Sequence, residues 1–165
     1  LGSHWKAIQI DDKGRIAGSV TALTGELIHA TQTQTILASA VPPTRPTVID
    51  PKWCEAGMAE QRRSGLARAL FCVRLLELSG KTRPEERLSY LMGAFLAGDL
   101  DALFKRGVLE AGSRVLIAGG GALAGAWRNA LEKSSIAAVP LTDLEIEAGL
   151  LAGLRCVAEA RVMPQ

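Results

Sequence analysis

The chain has 165 residues, 48% of them apolar and 22% charged, with a formal net charge of +2. That balance excludes a disordered segment, and the charge is too small to point to a polyanion partner, so no nucleic acid is expected. One domain, or one lobe of a larger protein, is expected, burying roughly two-thirds of its unfolded surface.

Three cysteines, Cys54, Cys72 and Cys156, are odd in number and far apart, which suits a reduced cytoplasmic setting better than a disulfide framework. The only histidines are His4 and His29, too few for a conventional zinc site, and no metal site is expected from the side chains. No apolar run is long enough for a bilayer and no charged-then-apolar leader opens the sequence, so a soluble, cytoplasmic protein without membrane contact is expected. A chain opening at Leu1, with strand-like alternation almost at once, is expected to belong to a longer polypeptide.

Trp5 to Ile10 and Arg15 to Leu23 are β-prone and separated by Asp11-Asp-Lys-Gly14, which suits a tight reversal; they predict an antiparallel hairpin. Leu27, Ile28, Thr31, Thr35 and Leu37 then recur at helical spacing, predicting a helix over about 26–38. Four prolines between Val41 and Pro51 mark a surface connection. From Pro51 the pattern is helical again as far as Ser79-Gly80, strongest where Leu66, Leu70, Val73 and Leu76 share a side, and Arg62, Arg63, Arg68 and Arg74 read as its solvated face. Pro84-Glu85-Glu86 opens a long helix whose apolar stripe runs from Leu88 to Phe104.

The chain's most distinctive stretch follows. An apolar run over Val115 to Ala118 breaks at Gly119, Gly120 and Gly121 and resumes as an alanine- and leucine-rich helical segment to Lys133. Strand, glycine turn and helix is the arrangement in which helix-terminal N–H groups without partners meet an anion, and a backbone without Cβ atoms lets it approach. Ile136 to Val139 predicts a second short strand, parallel to the first, and Thr142-Asp143 can cap a last helix to about Ala160. Gly149 and Gly153, one helical turn apart, suggest close packing of that helix. Hairpin, helices and βαβ together predict an α/β fold with one mixed sheet and packed helices.

Several motifs admit two readings. Lys81-Thr82 is not a Walker loop, because Leu75 stands where its first glycine belongs. Gly119, Gly121 and Ala124 satisfy G-x-G-x-x-A, with Asp143 at a suitable distance for a ribose, so an NAD-type dinucleotide domain stays open alongside a turn that merely packs tightly. Gly2-Ser3-His4 reads either as a cloning remnant or as a phosphate-gripping loop with Lys6 nearby. Glu26 suits a helix start for dipole reasons alone.

Leu1-Gly-Ser-His-Trp-Lys6, the hairpin after it and Thr21-Ala-Leu-Thr-Gly-Glu-Leu-Ile-His29 resemble the Pro-Gly-Thr-His-x-Lys and Thr-x-x-Thr-Gly-Glu-Leu sequences of 2-dehydro-3-deoxygalactonokinases. The likeness continues through the 57–71 helix, Leu91-Met-Gly-Ala-Phe-Leu-Ala-Gly-Asp99, the glycine run and Glu147 to Leu154. Leu1 replaces the usual proline and Ser3 the threonine, which keeps the hydroxyl.

The resemblance implies a ribonuclease H-like, actin-like ATPase lobe, with residues 1–165 as the C-terminal nucleotide-binding lobe of a two-lobe sugar kinase. It implies transfer of the ATP γ-phosphate, with Mg²⁺, to the 6-hydroxyl of 2-dehydro-3-deoxygalactonate. Gly2, Ser3, His4 and Lys6 become a phosphate-binding loop and Gly119, Gly120, Gly121 and Ala122 the adenosine-binding turn. Glu26 becomes a substrate- or metal-side carboxylate. The general base and most of the sugar pocket are expected in an N-terminal lobe of the same enzyme, as the chain's partner. A non-catalytic interaction lobe remains the third reading, and the resemblance leaves homo-oligomer formation open.

Overall fold

The computed structural model describes residues 4–162, so Gly2 and Ser3 of the predicted phosphate loop lie outside the described residues. The order is β1 (Trp5–Ile10), β2 (Ile16–Ala22), α1 (Thr24–Gln34), a 3₁₀ turn (Ile36–Ser39), α2 (Pro51–Ser64), α3 (Leu66–Leu78), α4 (Pro84–Lys105), β3 (Arg114–Ile117), α5 (Gly121–Lys133), β4 (Ala137–Pro140) and α6 (Asp143–Val162).

The axis of the fold is α4. Pro84 starts it, and the Glu86 carboxylate accepts a hydrogen bond from the Arg83 amide at 2.8 Å. Its apolar side chains from Leu88 to Leu103 are buried nearly all round. Two clusters meet along it. One gathers Leu96, Leu100 and Leu103 with Trp127, Leu131, Ile117 and Ile136, and the other gathers Leu88, Leu91 and Phe95 with Ile28, Leu37 and Val73. Helix α2 lies close against α4: a Cβ on Gly57 would overlap the Tyr90 carbonyl, and one on Gly93 would overlap the Cys54 carbonyl.

Strand placement follows the sequence, but sheet architecture does not. Strand β1 pairs antiparallel with β2, Trp5 opposite Ala22, and β3 pairs parallel with β4, Arg114 opposite Ala137. These are two separate two-stranded sheets, which corrects the single mixed sheet expected. The hairpin joins the body through side chains, with Trp5, Ala7 and Val20 packed on the same cluster as β3 and β4, so the strands share a core without sharing a ladder.

Helix limits differ where local chemistry overrides periodicity. Helix α1 stops at Gln34 because Thr35 is extended (φ −122°, ψ 176°); its hydroxyl donates to the Thr31 carbonyl and accepts from the Leu37 amide. The stretch read as continuous from Pro51 breaks at Gly65, whose φ of +82° no helix tolerates.

Helix α6 opens with a Thr142–Glu145 capping box, Thr142 N to Glu145 Oε2 at 2.8 Å and Glu145 N to Thr142 Oγ1 at 3.2 Å. It leaves Leu144 (78% exposed), Leu150 (63%) and Leu154 (58%) in solvent. Gly149 and Gly153 have open space where a Cβ would stand, so the close packing expected of them is absent among the described residues, and the tight approach belongs instead to Gly57 and Gly93.

Gly93→Ala is expected to cost about 3 kcal/mol, because the new methyl meets backbone that cannot step aside. Gly149→Ala should be neutral or slightly stabilising. Urea denaturation of both variants checks the contrast.

Candidate functional site

The glycine turn ends β3 and opens α5. Gly119 (φ +139°) and Gly121 (φ +77°) take backbone conformations that side chains resist, and Gly120, extended, is the N-cap residue of α5 with no side-chain cap. Nothing lies within 4 Å of where a Cβ on Gly120 or Gly121 would stand. The first turn of α5 therefore has no side-chain cap and begins beside open space, the setting in which a helix start receives an anion.

That space is a cavity of about 910 Å³. Gly120, Gly121 and Ala122 form one wall, and Gly25, Glu26 and His29 from the start of α1 form another. A third wall is the proline-rich connection with Arg45, fixed by Gln32 of α1, whose buried amide donates to the carbonyls of Pro42 at 2.6 Å and Thr44 at 3.1 Å. His4 reaches the rim, its Nε2 lying 3.0 Å from Glu26 Oε1. The structure thus brings Glu26, Gly120, Gly121 and Ala122 to one cavity, with His4 joined to it through Glu26. Lys6 of β1 is exposed and, like His4 and Gly119, is not among the residues lining it.

Behind the rim sits a carboxylate that the sequence reading gave no part in the site. Asp99 of α4 accepts hydrogen bonds from Trp5 Nε1 at 2.7 Å and from Thr24 Oγ1 at 2.8 Å. Burial pushes its carboxyl above the ordinary aspartate range, against the opposing pull of those two donors. Trp5 in turn meets Trp127 of α5 edge to face, with centroids 5.5 Å apart and planes at 70°. A charge in register with Leu96, Leu100 and Leu103 on a buried stripe was the available signal for Asp99. Arg45, a lone cation among prolines, carried no comparable signal.

A second cavity of about 500 Å³ lies between α2 and α5, and Ala122 lines both. The Lys133–Glu55 ion pair, at 2.5 Å, belongs to its wall. Cys54 faces it too, and burial first and Glu55 second push that thiol up to about 11, which makes it a poor nucleophile. All three cysteines are free.

In this α/β body a glycine turn opens a helix onto a cavity, and comparison with known proteins gives the family. The chain belongs to the 2-keto-3-deoxy-galactonokinase family, whose model matches residues 1–155. It shares its fold with a Sinorhizobium meliloti protein whose crystal structure carries a provisional 2-dehydro-3-deoxygalactonokinase assignment, at a TM-score of 0.78 and 24% identity over 95% of this chain. The match covers 52% of that protein, so this chain spans about half its length. No curated protein sequence matches significantly.

The two glycines at the head of α5 should behave differently. Gly121→Ala is expected to cost about 1–2 kcal/mol from left-handed strain. Gly120→Ala, extended and facing open space, should stay within about 0.5 kcal/mol of the parent. Equal losses in thermal or chemical denaturation would contradict this account of the turn.

Proposed function

We propose that this chain is the nucleotide-binding half of a kinase that transfers the ATP γ-phosphate to the 6-hydroxyl of 2-dehydro-3-deoxygalactonate, a sugar acid, in galactonate breakdown. The observation that carries the reading is the shared cavity: Glu26, which His4 contacts, and the Gly120–Ala122 turn line one space. Family membership supports the chemistry.

In this reading the amides of Gly120, Gly121 and Ala122 receive the nucleotide at the head of α5, with Gly119 shaping the turn. The loop of Gly2, Ser3 and His4, with Lys6 beyond it, holds phosphate oxygens by backbone, hydroxyl and imidazole donors. Arg45 adds a cation from the facing wall.

Glu26 is the carboxylate the cavity offers to Mg²⁺, and among the described residues no group of three acidic, histidine or cysteine side chains could hold the ion alone. Magnesium in kinase sites is held by one or two carboxylates together with substrate phosphates and waters, so one carboxylate is what this chain would need to supply. When bound, the ion would neutralise the β- and γ-phosphates. What this chain's residues contribute is positioning and electrostatic stabilisation, the greater part of phosphoryl-transfer catalysis.

The base that takes the hydroxyl proton and most of the sugar pocket belong to the other half of such a kinase. Exposed Leu144, Leu150 and Leu154 on α6, and Leu116 and Val139 on the small parallel sheet, are apolar surface that a second lobe would cover. The cytoplasm is the fitting place for this metabolic step, and among the described residues no helix is long and apolar enough to cross a membrane.

Calorimetric titration of the 165-residue chain tests the reading. Binding of MgATP in preference to NAD, and at least tenfold loss of it in Gly120→Leu without a fall in melting temperature, are the expected results. Preference for NAD would favour the dinucleotide domain, and binding of neither would favour a non-catalytic interaction lobe. No phosphate transfer is expected from the chain by itself, and rapid turnover by it would refute the division of labour.

A further inference from the structure

We propose that Asp99 is the positioning residue of this site: its single carboxylate locks the start of β1 to the start of α1 and so sets where the His4–Glu26 rim stands over the cavity. The inference rests on the nucleotide-binding reading for its consequence, but the lock itself rests on geometry.

Five residues close a ring. His4 immediately precedes Trp5, the first residue of β1, Trp5 donates to Asp99 Oδ2, Thr24 donates to Asp99 Oδ1, Glu26 stands two residues beyond Thr24, and Glu26 meets His4 at 3.0 Å. The two oxygens of one carboxylate are held a fixed short distance apart, so the donors they bind are held in register as well. Trp5 is half-buried against the body, while His4 before it and Lys6 after it are exposed. Anchoring the indole therefore orients the residues on either side of it.

The hydroxyl of Thr24 shows what the lock displaces. A threonine at a helix start ordinarily caps it, yet the cap position of α1 is Leu23, which provides no side-chain bond, while the Thr24 hydroxyl is directed to α4. Thr24 is buried, so that bond lies largely out of water. The same indole that binds Asp99 packs on Trp127, on the helix that begins at Gly121. One carboxylate thereby holds the rim to α4, and the tryptophan pair holds the rim to the helix that carries the glycine turn. Asparagine could replace the aspartate, with its oxygen towards Trp5 and its amide donating to the Thr24 hydroxyl. Alanine could not.

The test compares Asp99→Ala and Asp99→Asn with the parent chain by titration with MgATP and, separately, with adenosine, at a temperature where all three are folded. Displacing the rim should affect the phosphates and spare the nucleoside. Asp99→Ala is expected to weaken MgATP binding about tenfold, with adenosine affinity within twofold and Asp99→Asn close to the parent. Equal loss for both ligands would reduce Asp99 to a general structural role and overturn the proposal, as would an unchanged MgATP affinity.

If the parent binds neither ligand, the functional reading fails but the lock is still decided. Hydrogen exchange of the Trp5 indole proton, assigned with Trp5→Phe, must accelerate in Asp99→Ala and stay slow in Asp99→Asn, and unchanged exchange in both would overturn it. Should Asp99→Ala fail to fold, Thr24→Val, which removes one donor, takes its place with the same expected outcomes.

Discussion

The contact on which the structure depends is the backbone approach of α2 to α4 at Gly57 and Gly93. Two helices can lie this near only where neither has a side chain, and each glycine sits against a carbonyl of the other helix. The approach makes α4 a buried axis. The hairpin and α5 pack on its C-terminal half, and α1 with α3 on its N-terminal half. Because α1 and α5 hang on the same rod, their N-terminal ends are held a cavity's width apart. The site is a consequence of that spacing, with the open amides of α5 on one side and Glu26 on the other.

Polar contacts then refine what the core sets roughly. Hydrophobic burial is non-directional, and by itself would allow β1 to slide over α5. Hydrogen bonds of Asp99 with Trp5 and Thr24 are directional and partly removed from water, so they select one placement. The raised carboxyl of Asp99 is the signature of that arrangement: burial disfavours its charge, and two donors only partly offset the penalty. Sign follows from direction. Asp99 contributes most to stability when protonated, and that contribution fades as pH rises through its elevated folded-state value.

Much of this was legible in the sequence because it is local. Period-2 segments around a turn gave the hairpin, an apolar stripe after Pro84 gave α4, and three glycines between an apolar run and an alanine-rich segment gave the turn into α5. What escaped reading was tertiary. Periodicity runs through Gly65 without a mark, since a break of one residue hardly disturbs the stripe. The spacing of Gly149 and Gly153 looked like a packing motif, while the glycines that do pack closely, Gly57 and Gly93, lie far apart in sequence and on different helices. Nothing local could say whether the hairpin and the parallel pair would share a ladder, nor that Asp99 would meet Trp5 across 94 residues.

The central claim is that the amino-terminal rim and the mid-chain turn serve one ligand. Its most direct test is a ¹⁵N-resolved NMR titration of the chain with MgATP, following the amides of His4, Glu26, Gly120 and Gly121. The account predicts that all four shift together along one binding curve. Shifts at Gly120 and Gly121 with none at His4 and Glu26, or two curves of different affinity, would contradict it.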